Sequence, residues 1–131
     1  MLLCGFAFGL ISCRPTSAPT ATLPTPTPLP DTAVDYTTQV APILRRHCQP
    51  CHNPAHAAGD FLVTSYDEVM QSGMYAPNVI AGDMNSNLLR MIRYEAIEAG
   101  NPMPPDGPLT PEQIDIITRW VMAGAAPSQT P

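Results

Sequence analysis

Cys48-Gln49-Pro50-Cys51-His52 combines residue types and spacing that fit one chemistry closely. Two thiols three residues apart reach the two vinyl groups of one porphyrin. The histidine that follows is held under the iron and offers an imidazole nitrogen. The C-x-x-C-H spacing therefore reads as a site of covalent haem attachment, with Cys48 and Cys51 as the bonded residues and His52 as the proximal iron ligand. Two other uses of paired cysteines fit less well. A zinc ribbon needs a second ligand pair at similar spacing, and the remaining cysteines, Cys4 and Cys13, stand in an N-terminal apolar run at a different spacing. A thioredoxin-like dithiol stands at the strand-to-helix turn of a βαβ unit, and no Val/Ile-rich strand precedes Cys48.

His52 leaves the opposite face of the iron open. Seven methionines compete for it, together with His47 and His56. Both histidines lie too close to His52 in sequence to reach the far face easily. Met70, Met91 and Met122 fall in expected helices and read as core filler, and Met1 lies in the N-terminal apolar run. Met74, Met84 and Met103 remain. Met103 stands in Asn101-Pro102-Met103-Pro104-Pro105, where flanking prolines fix the backbone. A stiff loop can hold a weak thioether ligand against exchange, so Met103 is the expected distal ligand.

The elements that position these residues can be read from capping signals and apolar periodicity. Asp35 is placed to cap a first helix carrying Val40, Ile43, Leu44 and His47, with Pro42 inside it. Ser65-Tyr66-Asp67-Glu68 is a capping box opening a short helix to about Gln71. Asn85 or Asp83 is expected to cap a third helix carrying Leu88, Leu89, Met91, Ile92 and Ile97. Thr110-Pro111-Glu112-Gln113 opens a last helix whose apolar face is Ile114, Ile117, Trp120 and Val121, ended by Gly124. No convincing strand is seen, so the expected fold is all-α, with three to five small helices around one haem. Long loops in so short a domain need something to fill the middle, and a covalently held porphyrin would do so.

The 131 residues allow one domain with appendages. Residues 1–12 are almost wholly apolar, resemble the core of a secretory signal, and are too short to span a bilayer. Leu10-Ile11-Ser12-Cys13 resembles the bacterial lipobox, with Cys13 as the lipidated residue, although no Lys or Arg precedes the apolar run. Residues 13–34 then form a Pro/Thr-rich tether. Its stretch Arg14 to Pro30 favours extended polyproline II and spans roughly 50 Å. The domain proper is expected over residues 35–126, with a short tail at 127–131. Six basic residues, none of them lysine, face eleven acidic ones, for a net charge of −5. That balance argues against nucleic acid and favours protein partners with basic patches.

Two longer stretches carry a family resemblance. Met103-Pro104-Pro105-Asp106-Gly107-Pro108-Leu109 precedes Pro111-Glu112-Gln113. Downstream stands Arg119-Trp120-Val121-Met122-Ala123-Gly124-Ala125. Together with Gly82 to Arg93, they resemble a monohaem, class I-like cytochrome c of the bacterial branch with an M-P-P distal loop. The resemblance covers about Tyr36 to Ala126. It implies one haem c, ligation by His52 and Met103, and first and last helices packed together, with Trp120 a packing residue beside the cofactor. Some cytochromes of this type are lipoprotein subunits of quinol-oxidising membrane assemblies such as alternative complex III.

Function is thus expected to be single-electron transfer at the outer face of the cell membrane. The chain would be a tethered carrier or a subunit of a respiratory or photosynthetic complex, not an enzyme in its own right. Its partners would be redox proteins or complex subunits, and the membrane through the lipid anchor. Two rivals differ in class: a haem enzyme or gas sensor with an open sixth position, and a haem-stabilised structural subunit. Arg45-Arg46 and the tyrosines Tyr66, Tyr75 and Tyr94 are open to haem-propionate contacts, but their plainer reading is surface or packing. No paired carboxylates, phosphate loop or Ser-His-Asp set appears.

Overall fold

The computed structural model describes residues 33–95 and 102–128, all within the compact unit Asp31–Pro131. The apolar leader, Cys13, residues 14–32 of the tether, Ile97 and Asn101 lie outside the described residues, while Val34, the last residue given to the tether, is buried in the core.

Asp35 caps the first helical segment as its position suggests. Its carboxylate accepts from the Thr38 amide at 2.8 Å and from the Thr38 hydroxyl at 2.8 Å. The segment is not one regular helix, however. Tyr36–Val40 forms a π-helical turn and α1 follows as Ala41–His47. The cause is Pro42, which has no N–H to continue the ladder and whose ring crowds the preceding turn. The wider π turn, closed by the Ala41 amide on the Tyr36 carbonyl, lets the chain absorb Pro42 near the start of α1 and not within it.

A two-residue antiparallel ladder follows, β1 (His52–Asn53) with β2 (His56–Ala57), then a 3₁₀ turn at Ala58–Asp60. This hairpin corrects the expectation of no strand. It forms because Asn53 turns the chain locally, its side-chain oxygen accepting from the amides of Ala55 at 2.8 Å and His56 at 3.0 Å. Helix α2 (Tyr66–Gln71) opens with the expected capping box, Ser65 and Glu68 satisfying each other's backbone amides.

Helix α3 spans Asn87–Ile92 with Ser86 at its cap position. Neither Asn85 nor Asp83 caps it. The Asp83 carboxylate instead accepts from the Asn85 amide at 2.8 Å. The buried Ser86 hydroxyl is spent on the preceding loop, bonding both the amide and the carbonyl of Ile80 at 2.9 Å. Helix α4 (Pro111–Met122) has the capping box of Thr110 and Gln113 and Pro111 in its first turn, as read from the sequence. The described residues are thus mostly helical, with four short α-helices and one minimal hairpin.

The core lies between the N-terminal segments and α4. Val40, Leu44, Ile117 and Val121 are fully buried, and Trp120 is 1% exposed. Fully burying one such side chain is worth roughly 1.5–3 kcal/mol, so this group outweighs any cap or turn as a source of stability. Tyr36 stacks obliquely on Trp120 with centroids 5.3 Å apart and meets Tyr66 edge-on at 5.2 Å. Two side chains fasten the chain after α4: Tyr66 Oη donates to the Ala125 carbonyl and Trp120 Nε1 to the Ala126 carbonyl, each at 2.8 Å. Further out, the hydroxyls of Thr37 and Ser128 meet at 2.7 Å, so the beginning and end of the described unit touch. Among the described residues no helix is long and apolar enough to cross a membrane.

Candidate functional site

Cys48 ends α1 and begins a tight turn. The amides of Cys51 and His52 both donate to the Cys48 carbonyl, at 3.1 and 3.0 Å. Asn53 braces this turn from below, its amide nitrogen donating to the carbonyls of Gln49 at 2.8 Å and Pro50 at 3.2 Å. The turn presents the two thiols differently: Cys48 is buried and Cys51 exposed. Burial pushes the Cys48 thiol up to about 11, and the neighbouring Cys51 adds to the effect.

His52 is oriented from two sides. Its Nδ1 lies 3.2 Å from the Phe61 carbonyl oxygen, and its ring meets the Phe61 ring at a centroid distance of 5.2 Å. A carbonyl oxygen only accepts, so Nδ1 carries the proton and Nε2 keeps its lone pair. That is the arrangement by which a metal-binding imidazole is normally held.

His52 and Cys48 open onto a cavity of about 190 Å³. Phe61, Leu88 and Ile92 give it apolar walls, and Met74, Met91 and Met103 also line it. Of the three methionines left open by the sequence, Met103 and Met74 are therefore at the cavity and Met84 is not. Met84 is exposed, and its Sδ accepts from Arg93 at 2.8 Å. Met74 is 62% exposed at the rim, whereas Met103 is partly buried. Of the supposed core fillers, Met70 packs against the core, Met91 faces the cavity, and Met122 is exposed.

The other sequence candidates are accounted for elsewhere. His47 Nε2 accepts from Gln113 Nε2 at 3.2 Å, tying α1 to α4. His56 is exposed on β2 and Arg45 and Arg46 are exposed on α1. Trp120 sits in the core against Tyr36 and is not among the cavity residues. Tyr66 and Tyr94 spend their hydroxyls on backbone carbonyls, while Tyr75 lines the cavity.

Sequence reasoning missed Phe61, Asn53 and the pair Asn78–Asn87. Asn78 is buried, donates to the Ser72 carbonyl at 2.7 Å and accepts from Asn87 at 2.8 Å, and both line the cavity. Only the polar residue directly after the motif, Asn53, left a usable signal.

One thiol at an apolar cavity with a second, exposed thiol three residues on, an imidazole with Nε2 available, and thioethers lining the same cavity form a donor set suited to a covalently held haem. The alternatives fare worse. Among the described residues no three His, Cys, Asp or Glu gather to hold a metal ion, and the strands near Cys48 are two residues long.

Residues 48–107 match the family described as Planctomycete cytochrome C. The matched stretch begins at the first thiol and ends just beyond the Met103 loop. It supports a c-type cytochrome-like domain, and with it haem c binding and haem-based electron transfer. No curated protein and no solved structure matches the chain.

Proposed function

We propose that this chain is a monohaem electron carrier, held at the outer face of the cell membrane through a lipid on Cys13. The observation that carries the proposal is that Met103, far along the chain from the Cys48–His52 motif, lines the same apolar cavity as Cys48 and His52. Cys48 and Cys51 would hold haem c through thioether bonds, with His52 Nε2 and Met103 Sδ on the two faces of the iron. When bound, the group supplies a one-electron iron couple, which His/Met ligation sets at a raised potential.

The residues around it do the remaining work. Phe61 fixes the tautomer and ring plane of His52. Leu88 and Ile92 exclude water. Ligation by both His52 and Met103 would leave no position for a substrate, which separates this reading from that of a haem enzyme or gas sensor. The acidic balance of the chain suits a partner with a basic docking face, either a soluble redox protein or a subunit of a quinol-oxidising complex.

Three measurements test the proposal. Denatured protein should keep its haem and give the pyridine haemochrome spectrum of two thioether bonds. The ferric protein should show the weak far-red band of methionine-ligated haem, and Met103→Ala should remove it. Absence of the band in wild type, or its survival in Met103→Ala, rejects Met103 as the ligand. Purification of the native protein from membranes, with its companions identified, separates a tethered carrier from a complex subunit.

A further inference from the structure

The Met103 loop is fastened to the end of α3 by two hydrogen bonds on consecutive residues. The Met103 amide donates to the Met91 carbonyl at 3.4 Å. The Tyr94 hydroxyl donates to the Pro104 carbonyl at 2.6 Å. The flanking prolines stiffen the loop internally, but they do not set where it sits. These two bonds do.

Tyr94 occupies an unusual place for its type. After Ile92 the chain closes α3 with a Schellman turn: the Tyr94 amide donates to the Met91 carbonyl at 3.1 Å and the Glu95 amide to the Arg90 carbonyl at 2.9 Å. The residue at the left-handed position of such a turn is usually glycine. Here it is Tyr94, at φ +62. A bulky side chain kept in a conformation that glycine adopts freely points to a contribution from the side chain itself. The contact it makes is the one to Pro104.

We propose that Tyr94 is a positioning residue for Met103. Its hydroxyl clamps the carbonyl of the very next residue and so keeps the thioether at the cavity. A thioether is a weak donor that stronger ligands displace readily. The hold on the loop therefore sets how easily another ligand enters. This inference rests on the reading of Met103 as the distal ligand.

The test is imidazole titration of the ferric, full-length haem protein. Tyr94→Phe keeps the ring and loses the hydroxyl, and should bind imidazole about 2- to 10-fold more tightly, the range expected for one lost hydrogen bond. Tyr66→Phe is the control, since it also removes a hydroxyl bonded to a backbone carbonyl but away from the cavity, and should leave the affinity unchanged. Tyr94→Gly relieves the left-handed turn yet removes the clamp, and should also raise the affinity. This variant serves if Tyr94→Phe folds poorly, because a purely structural role predicts a sound or improved protein with wild-type affinity. In a Met103→Ala background, Tyr94→Phe should have no effect on imidazole binding.

Unchanged affinity in Tyr94→Phe and Tyr94→Gly, with Met103→Ala binding imidazole more tightly, overturns the role of Tyr94 alone. Wild-type affinity in Met103→Ala overturns the ligand assignment beneath it.

Discussion

The Nδ1 of His52 faces the Phe61 carbonyl oxygen at 3.2 Å, and this one contact decides which ring nitrogen is available for iron. The donor is set by backbone that arrives nine residues later, after the hairpin and the 3₁₀ turn. The short β1–β2 ladder therefore has a purpose despite its size: it brings Phe61 back beneath the ring.

From this follows a prediction for His52→Ala. The haem should stay attached through Cys48 and Cys51, but the iron should lose its strong axial donor and turn high-spin. Added imidazole should restore a low-spin visible spectrum. A variant with the wild-type spectrum before any imidazole is added would show that His52 is not a ligand.

Gly73 and Gly82 offer a paired test of the loop that carries the Asn78 side of the cavity. Both have positive φ, +108 and +73. A Cβ at Gly73 would overlap the Asn78 amide, whereas at Gly82 nothing lies within 4 Å. Gly82→Ala should therefore cost only the conformational penalty of about 1–2 kcal/mol. Gly73→Ala should cost more, since it also disturbs the bonds of Asn78 to Ser72 and Asn87. Urea unfolding midpoints of the two variants give the comparison directly.

Thr110→Ala removes the hydroxyl that accepts from the Gln113 amide and should lower stability by about 1 kcal/mol. Thr110→Ser should stay close to wild type. Chemical denaturation distinguishes these outcomes, and equal stability in both variants would mean that the cap does not matter to α4.

Alkaline pH should weaken the fold through Tyr36. Burial is the main cause pushing its phenol up to about 12, with Tyr66 adding to it and Arg45 opposing. The folded state thus keeps the proton after the unfolded chain has begun to lose it. The stabilisation is complete below the ordinary tyrosine value of 10.0 and is lost as pH rises from there to about 12, at up to roughly 1.4 kcal/mol per pH unit. Tyr36→Phe should flatten that part of the stability–pH curve, and an unaltered slope would assign it to other groups.

What the sequence disclosed, and what it hid, divides along physical lines. Local signals were readable: the Asp35 cap, the two capping boxes and the C-x-x-C-H turn all depend on residues within a few positions of one another. The stiffness of the Met103 loop was also readable from its prolines, but its place at the cavity depends on the bonds to Met91 and Tyr94. Contacts that depend on distant chain segments were not. Nothing near Ser86 says that its hydroxyl will serve Ile80, which leaves α3 with a cap residue that does not cap. Nothing near Met91 says that it will face the cavity and not the core. Pro42 was legible inside the first helix, but the π turn at Tyr36–Val40 that precedes α1 was not.

The hydroxyls of Thr37 and Ser128, 2.7 Å apart, make the described unit nearly a closed ring of chain. A fold whose two ends already touch loses little if they are covalently joined and the chain is opened elsewhere. A circular permutant closed at this point would put the order of Cys48 and Met103 along the chain under experimental control. The helix that now stands last in the chain could then be placed first, with the same walls around the same cavity.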